Sequence, residues 1–215
     1  MNFLQISLTN RCNFACAACP MGKWRNYAAP RWQLCNDELI PWLSENVSNS
    51  DWLIELTGGE PSLYVGIEEL LSWLSANKYK TLVKTNGSGD LPHLPHVKLV
   101  AAYHKLAEPP KNYDEYLIID KLQREAKEAY CKEHEIPYKV IGFNKENPDN
   151  ASHGFRLCAY INPAGHQVGC QARSVYEDVH GDVDYRRITH SALVPTLCCK
   201  HCKAAIDAWR FREGL

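Results

Sequence analysis

No apolar run in the 215 residues approaches the ~18 positions needed to cross a bilayer, which excludes a membrane helix and predicts no membrane partner. Neither sign of charge is in excess. The 24 Lys and Arg against 25 Asp and Glu leave a formal net charge of -1, which argues against a general polyanion binder while permitting a local basic patch. Internal repeats and low-complexity tracts are missing. With 45% hydrophobic and 23% charged residues, a mainly disordered chain is excluded and a single core of useful size is affordable. The first nine residues, Met1 to Thr9, carry neither a basic n-region nor a small-residue cleavage site. No signal peptide is read there, and the expected compartment is the cytoplasm.

Cysteine, by contrast, is abundant. There are ten, in a chain too long and too well supplied with core residues to need a disulfide framework. They cluster: Cys12, Cys16 and Cys19 share one short stretch, and Cys158, Cys170, Cys198, Cys199 and Cys202 lie in the last 58 residues. Without a secretion signal, clustering of this kind points to metal. The other two are read as bland, with Cys131 facing the core from a charged helix and Cys35 in a loop.

Strand-like and helix-like runs alternate. Strands are expected at Phe3 to Thr9, Trp52 to Thr57, Thr81 to Thr85, Val97 to Tyr103, Tyr116 to Ile119 and Tyr138 to Phe143. Helices are expected at Asp37 to Val47, Gly66 to Ala76 and Lys121 to Glu135. The connection Gly89 to His96 contains two prolines and predicts no full helix. Such alternation implies parallel βα units, and the short crossovers predict an α/β fold: a trimmed, open, partial (βα)6 barrel. The polar, turn-rich stretch Asn144 to His153 marks a boundary. The expected domains are 1–146, the partial barrel, and 147–215, a small Cys-rich metal-binding extension with little regular pattern before a last helix near Lys203 to Arg212.

The first strand runs into Cys12-Asn-Phe-Ala-Cys16-Ala-Ala-Cys19. Three thiolates from one loop can hold three irons of a [4Fe-4S] cluster and leave the fourth iron open for a substrate or cosubstrate. The second strand ends in Thr57-Gly58-Gly59-Glu60-Pro61, two glycines that permit close backbone approach and a carboxylate able to accept from an ammonium group. The third ends in Thr85-Asn86-Gly87-Ser88 and the fourth near Tyr103-His104-Lys105. All these polar groups fall at the C-terminal ends of successive parallel strands, the rim on which α/β barrels build active sites.

The Cys12/Cys16/Cys19 triplet followed one βα unit later by Gly58-Gly59-Glu60 resembles the radical S-adenosylmethionine superfamily. The resemblance implies an oxygen-sensitive enzyme in which the open iron chelates S-adenosylmethionine. Reduction through the cluster then cleaves the cosubstrate to a 5′-deoxyadenosyl radical that abstracts hydrogen from a substrate. It further implies that Gly58, Gly59 and Glu60 hold the methionine amino group, that Thr85 and Asn86 contact the cosubstrate's carboxylate or ribose, and that an electron donor such as flavodoxin or ferredoxin is a partner. His104 and Lys105 are candidates for substrate or cosubstrate contact. One position departs from the pattern: the residue before the third cysteine is Ala18, where family members usually carry an aromatic, with Phe14 or Trp24 the aromatics near at hand.

In the tail, Cys158, the glycine-spaced Gly165 and Cys170, and the run Cys198-Cys199-Lys200-His201-Cys202 resemble the auxiliary-cluster extensions of the same superfamily, of the twitch or reduced SPASM type. The ligands read from this are Cys158, Cys170, Cys199 and Cys202, with Cys198 the alternative to Cys199. Four thiolates accept either a second iron–sulfur cluster or zinc. Tails of this type point to peptide or protein modification. The interleaved aromatics and cations of Lys23-Trp24-Arg25-Asn26-Tyr27, with Arg31 and Trp32, favour a nucleotide or other small molecule instead. A non-catalytic zinc-binding module is the reading from a different class, and Gly58-Gly59-Glu60, which a zinc scaffold does not need, counts against it.

Overall fold

A computed structural model describes residues 1–15, 33–102, 111–118, 124–140, 157–161, 166–168, 186–187, 193 and 196–197. The strands among them are β1 (Asn2–Ser7), β2 (Trp52–Thr57), β3 (Lys80–Thr85), β4 (Val97–Ala102), β5 (Glu115–Ile118), β6 (Tyr138–Val140), β7 (Leu157–Ile161), β8 (His166–Val168), β9 (Arg186–Arg187) and β10 (Thr196–Leu197). The helices are α1 (Asn36–Asn46), α2 (Ile67–Ala76) and α3 (Arg124–Glu133), with a short 3-10 turn at Pro61–Leu63. All strands belong to one sheet in the order β6-β5-β4-β3-β2-β1-β7-β8-β9, with β10 also on β7. The six neighbour pairs from β6 to β7 are parallel, whereas β8, β9 and β10 pair antiparallel.

The open, mostly parallel α/β sheet is as the alternating runs predict, but it holds seven parallel strands in place of six. The seventh is Leu157–Ile161, assigned from sequence to the tail. It lies beside β1, with Phe3 opposite Cys158 and Gln5 opposite Tyr160. β1 is therefore flanked on both edges, by β2 and β7. Between β3 and β4 the chain crosses without a helix, as the two prolines require.

Residues alternate between the two faces of the sheet. Leu4, Ile6, Leu8, Ile54, Leu56, Val83, Leu99, Ala159 and Ile161 form one core with Leu39, Trp42 and Leu43 of α1 and Ile67, Leu70, Leu71 and Leu74 of α2. Asn36 fastens the two helices. Its amide donates to the Gly66 carbonyl (2.9 Å) and to Glu69 Oε2 (2.7 Å), and it accepts from the Tyr64 hydroxyl (2.6 Å). Gly66 caps α2 with φ +92, and a Cβ there would stand 2.6 Å from Asn36 Nδ2, so glycine is required on both counts. Cys131 is buried against Ala101, Tyr116 and Ile118, as expected of a core cysteine.

The opposite face is unusually polar for a sheet interior. Glu55, fully buried, accepts from Gln5 Nε2 at 2.6 Å and pairs with Lys84 Nζ at 2.8 Å. Lys98 pairs with Glu115 at 2.6 Å, where burial raises the Glu115 carboxyl above the usual carboxylate range and Lys98 opposes that shift. Among the described residues no helix is long and apolar enough to cross a membrane.

Candidate active site

Past Ser7 the first strand does not turn away. The segment from Leu8 to Arg11 runs on beside the exit of β2. Leu8 N donates to Thr57 O (2.9 Å), Gly59 N to Thr9 O (2.6 Å) and Glu60 N to Arg11 O (2.7 Å). This pairing explains both glycines. Gly58 has φ +137, and its absent Cβ would stand 2.5 Å from Thr9 O; a Cβ on Gly59 would stand 2.0 Å from Arg11 O. What approaches the glycines is the backbone that leads directly into Cys12. Their small size thus seats the segment leading into Cys12 on the tip of β2.

Glu60 is fully buried. Its Oε1 accepts from Ser62 N (3.0 Å) and from the Thr85 hydroxyl (2.5 Å), and its Oε2 accepts from Asn86 N (2.7 Å). The carboxylate therefore joins the tips of β2 and β3, and three of its four acceptor positions are in use. Behind it, the Tyr113 hydroxyl donates to Gly89 O at 2.5 Å. Burial, with the Glu60 and Asp90 carboxylates adding to it, raises the Tyr113 pKa to about 12.

The tip of β3 reaches Cys12. Asn86 Nδ2 lies 3.8 Å from Cys12 Sγ and 2.8 Å from Asn13 Oδ1, while Asn13 Nδ2 donates to Ser88 Oγ at 2.8 Å. Phe14 N also points at the sulfur, 3.4 Å away. Cys12 is half-buried and makes no disulfide. A sulfur that collects N–H donors while remaining partly open suits a thiolate bound to iron, so this corner of the proposed triplet fits a cluster.

The structure thus brings together Cys12, Gly58, Gly59, Glu60, Thr85 and Asn86 at the C-terminal ends of three adjacent parallel strands. Cys16, Cys19, Ala18, Trp24, His104, Lys105, Cys170, Cys198, Cys199 and Cys202 lie outside the described residues, as do the rest of the aromatic–cationic loop and the expected last helix. Cys158 lies on β7, opposite Phe3 and Thr196. Sequence reasoning gave no role to Asn13 or Tyr113. Asn13 sits within the cysteine motif and was readable as a polar neighbour; Tyr113 has no local signal. A cleft of about 270 Å³ lined by Lys80, His96 and Lys98 lies at the opposite, N-terminal ends of β3 and β4, away from this site.

No protein-family model matches the chain. It is 33% identical over 89 residues to a GTP 3′,8-cyclase of Helicobacter pylori, a match covering 40% of this chain and 28% of that enzyme. A GTP 3′,8-cyclase of Aquifex aeolicus is 36% identical over 76 residues, 35% of this chain and 24% of that one. Among solved structures, Streptococcus suis SuiB bound to the precursor peptide SuiA superposes with a TM-score of 0.55 at 12% identity, over 89% of this chain and 63% of SuiB. The chain thus matches about a quarter of the length of these cyclases, and the likeness to SuiB is one of fold.

Proposed function

We propose that the protein is a radical S-adenosylmethionine enzyme, with a [4Fe-4S] cluster on Cys12, Cys16 and Cys19. The observation that carries this is the seating of Cys12, through Gly58 and Gly59, against Glu60, Thr85 and Asn86 on the adjacent strand tips. Sequence similarity to enzymes named GTP 3′,8-cyclase and a fold shared with SuiB are consistent with this reading. When bound, cluster and cosubstrate supply reductive cleavage to a 5′-deoxyadenosyl radical that takes hydrogen from substrate. The chain's own contribution is placement. The glycines fix the distance between the cysteine loop and β2, and Glu60 holds the β3 tip in register with it. Gly58, Gly59 and Glu60 are proposed to hold the cosubstrate's ammonium through their backbone carbonyls, and Thr85 and Asn86 are proposed contacts for its carboxylate or ribose. His104 and Lys105 are proposed substrate or cosubstrate contacts. A flavodoxin or ferredoxin would deliver the electron.

The tail cysteines Cys158, Cys170, Cys199 and Cys202, with Cys198 as the alternative to Cys199, are proposed to hold a second iron–sulfur cluster or zinc. On the tail's resemblance the substrate is a peptide or protein. A nucleotide is the second reading, favoured by sequence similarity to enzymes named for their action on GTP.

Anaerobically purified protein should be brown and carry at least about four irons per chain, and its reduced spin signal should shift on adding S-adenosylmethionine. Cys12→Ala should abolish both the shift and the release of 5′-deoxyadenosine. Colourless wild-type protein, or cleavage retained by the variant, would refute the assignment. Addition of GTP should raise 5′-deoxyadenosine release above the uncoupled rate if the nucleotide reading holds, and leave it unchanged if the substrate is a peptide.

A further inference from the structure

The amide of Asn86 has no freedom to turn. Its Oδ1 accepts from Ser88 N at 2.9 Å, and a backbone N–H can only donate, which decides which end of the amide is oxygen. Nδ2 is then the atom that faces Cys12 Sγ (3.8 Å) and Asn13 Oδ1 (2.8 Å). The main chain beneath it is held as firmly, because Asn86 N donates to Glu60 Oε2 at 2.7 Å. Every polar group of a residue only 7% exposed is thus committed except its carbonyl, and one N–H is spent on a sulfur. A neutral donor buried against a thiolate withdraws electron density from it, and hydrogen bonds to cluster sulfurs are among the factors that set reduction potentials.

We infer that Asn86 is a positioning residue for the first cluster ligand: its amide N–H holds the Cys12 sulfur in place and makes the cluster easier to reduce. This assigns the Asn86 side chain to the iron site and leaves its carbonyl for the proposed cosubstrate contact, with Glu60 acting behind it as the clamp that fixes its backbone. The inference rests on the proposed cluster at Cys12.

The test uses the full chain, loaded with cluster and free of S-adenosylmethionine, poised at a series of potentials. Asn86→Ala removes the N–H but leaves the main-chain bond to Glu60. Asn86→Asp keeps an acceptor for Ser88 N and turns an oxygen toward the sulfur. Both should move the midpoint to more negative potential, Asp further than Ala, so that at the wild-type midpoint the reduced fraction falls several-fold. Ser88→Ala breaks only the Asn13 side-chain bond and should leave the midpoint where it was. Iron lost from variants that keep wild-type circular dichroism also supports the inference, since the ligand would then have lost its positioning. It is overturned if both Asn86 variants keep their iron and the wild-type midpoint, if Ser88→Ala shifts the midpoint equally, or if both Asn86 variants unfold. Wild-type protein with no such cluster would instead sink the proposed function itself.

Discussion

Gly59 shows at single-residue scale how the site depends on what is missing from a side chain. A methyl group there would overlap the Arg11 carbonyl at 2.0 Å, and that carbonyl is itself tied to Glu60 N. Backbone cannot swing aside as a side-chain tip can. Gly59→Ala should therefore lower stability by about 1–3 kcal/mol, as overpacking does, and cut the iron retained after desalting. Gly89→Ala is the matched control. Its Cβ would stand 2.5 Å from Ser62 Oγ and 2.6 Å from Ser62 Cβ, side-chain atoms in place of the backbone carbonyl met at Gly59, and a smaller loss is expected. Thermal melting and iron counting on the two variants check the contrast. The glycine pair itself was legible in the sequence as a place of close approach. That the approaching group is the chain's own Thr9–Arg11 was not, because the partner lies some 50 positions away in sequence and is brought in by strand pairing.

Among the elements, α1 and α2 meet through a buried polar lock. Asn36 satisfies the Gly66 carbonyl, Glu69 and the Tyr64 hydroxyl at once, and burial pushes the Tyr64 pKa up. Asn36→Ala should cost about 1–3 kcal/mol, the penalty for leaving buried partners unmet, and chemical denaturation will measure it. The helices and their apolar stripes were readable from the spacing of Leu39 and Leu43, and of Ile67, Leu70, Leu71 and Leu74. Pro41, inside α1, removes only one N–H in the second turn and leaves the helix intact. By contrast, Leu157–Ile161 carries too little regular pattern to announce a strand, and its cysteine drew it into the metal reading of the tail. Its identity comes from lying against β1.

For the whole molecule, β7 alters the relation between barrel and tail. Tyr160 and Ile161 are buried, the Tyr160 hydroxyl bonds Ser7 Oγ at 2.8 Å, and Ala159 and Ile161 join the main core. Removing residues 147–215 would bare the edge of the strand that leads into Cys12, and exposed edges invite association. It would also forfeit roughly 1.5–3 kcal/mol for each large side chain withdrawn. The truncated chain is expected to aggregate or to unfold without a sharp transition, measured by size-exclusion chromatography and calorimetry. A monomeric, cooperatively folding fragment 1–146 would show instead that the barrel stands alone.

Local chemistry was written in the order of residues: period-two and helical runs decide strand and helix, the spacing of Cys12, Cys16 and Cys19 points to a cluster, and glycines at strand ends mark where backbones crowd. These depend on neighbours a few positions apart, so a linear reading reaches them. Pairing across the sheet is another matter. The seventh parallel strand, the engagement of Glu60 with Thr85 and Asn86 in place of an open carboxylate, and the amide aimed at Cys12 each join residues tens of positions apart. Their energies exist only once the chain has closed those loops, so the folded arrangement alone could decide them.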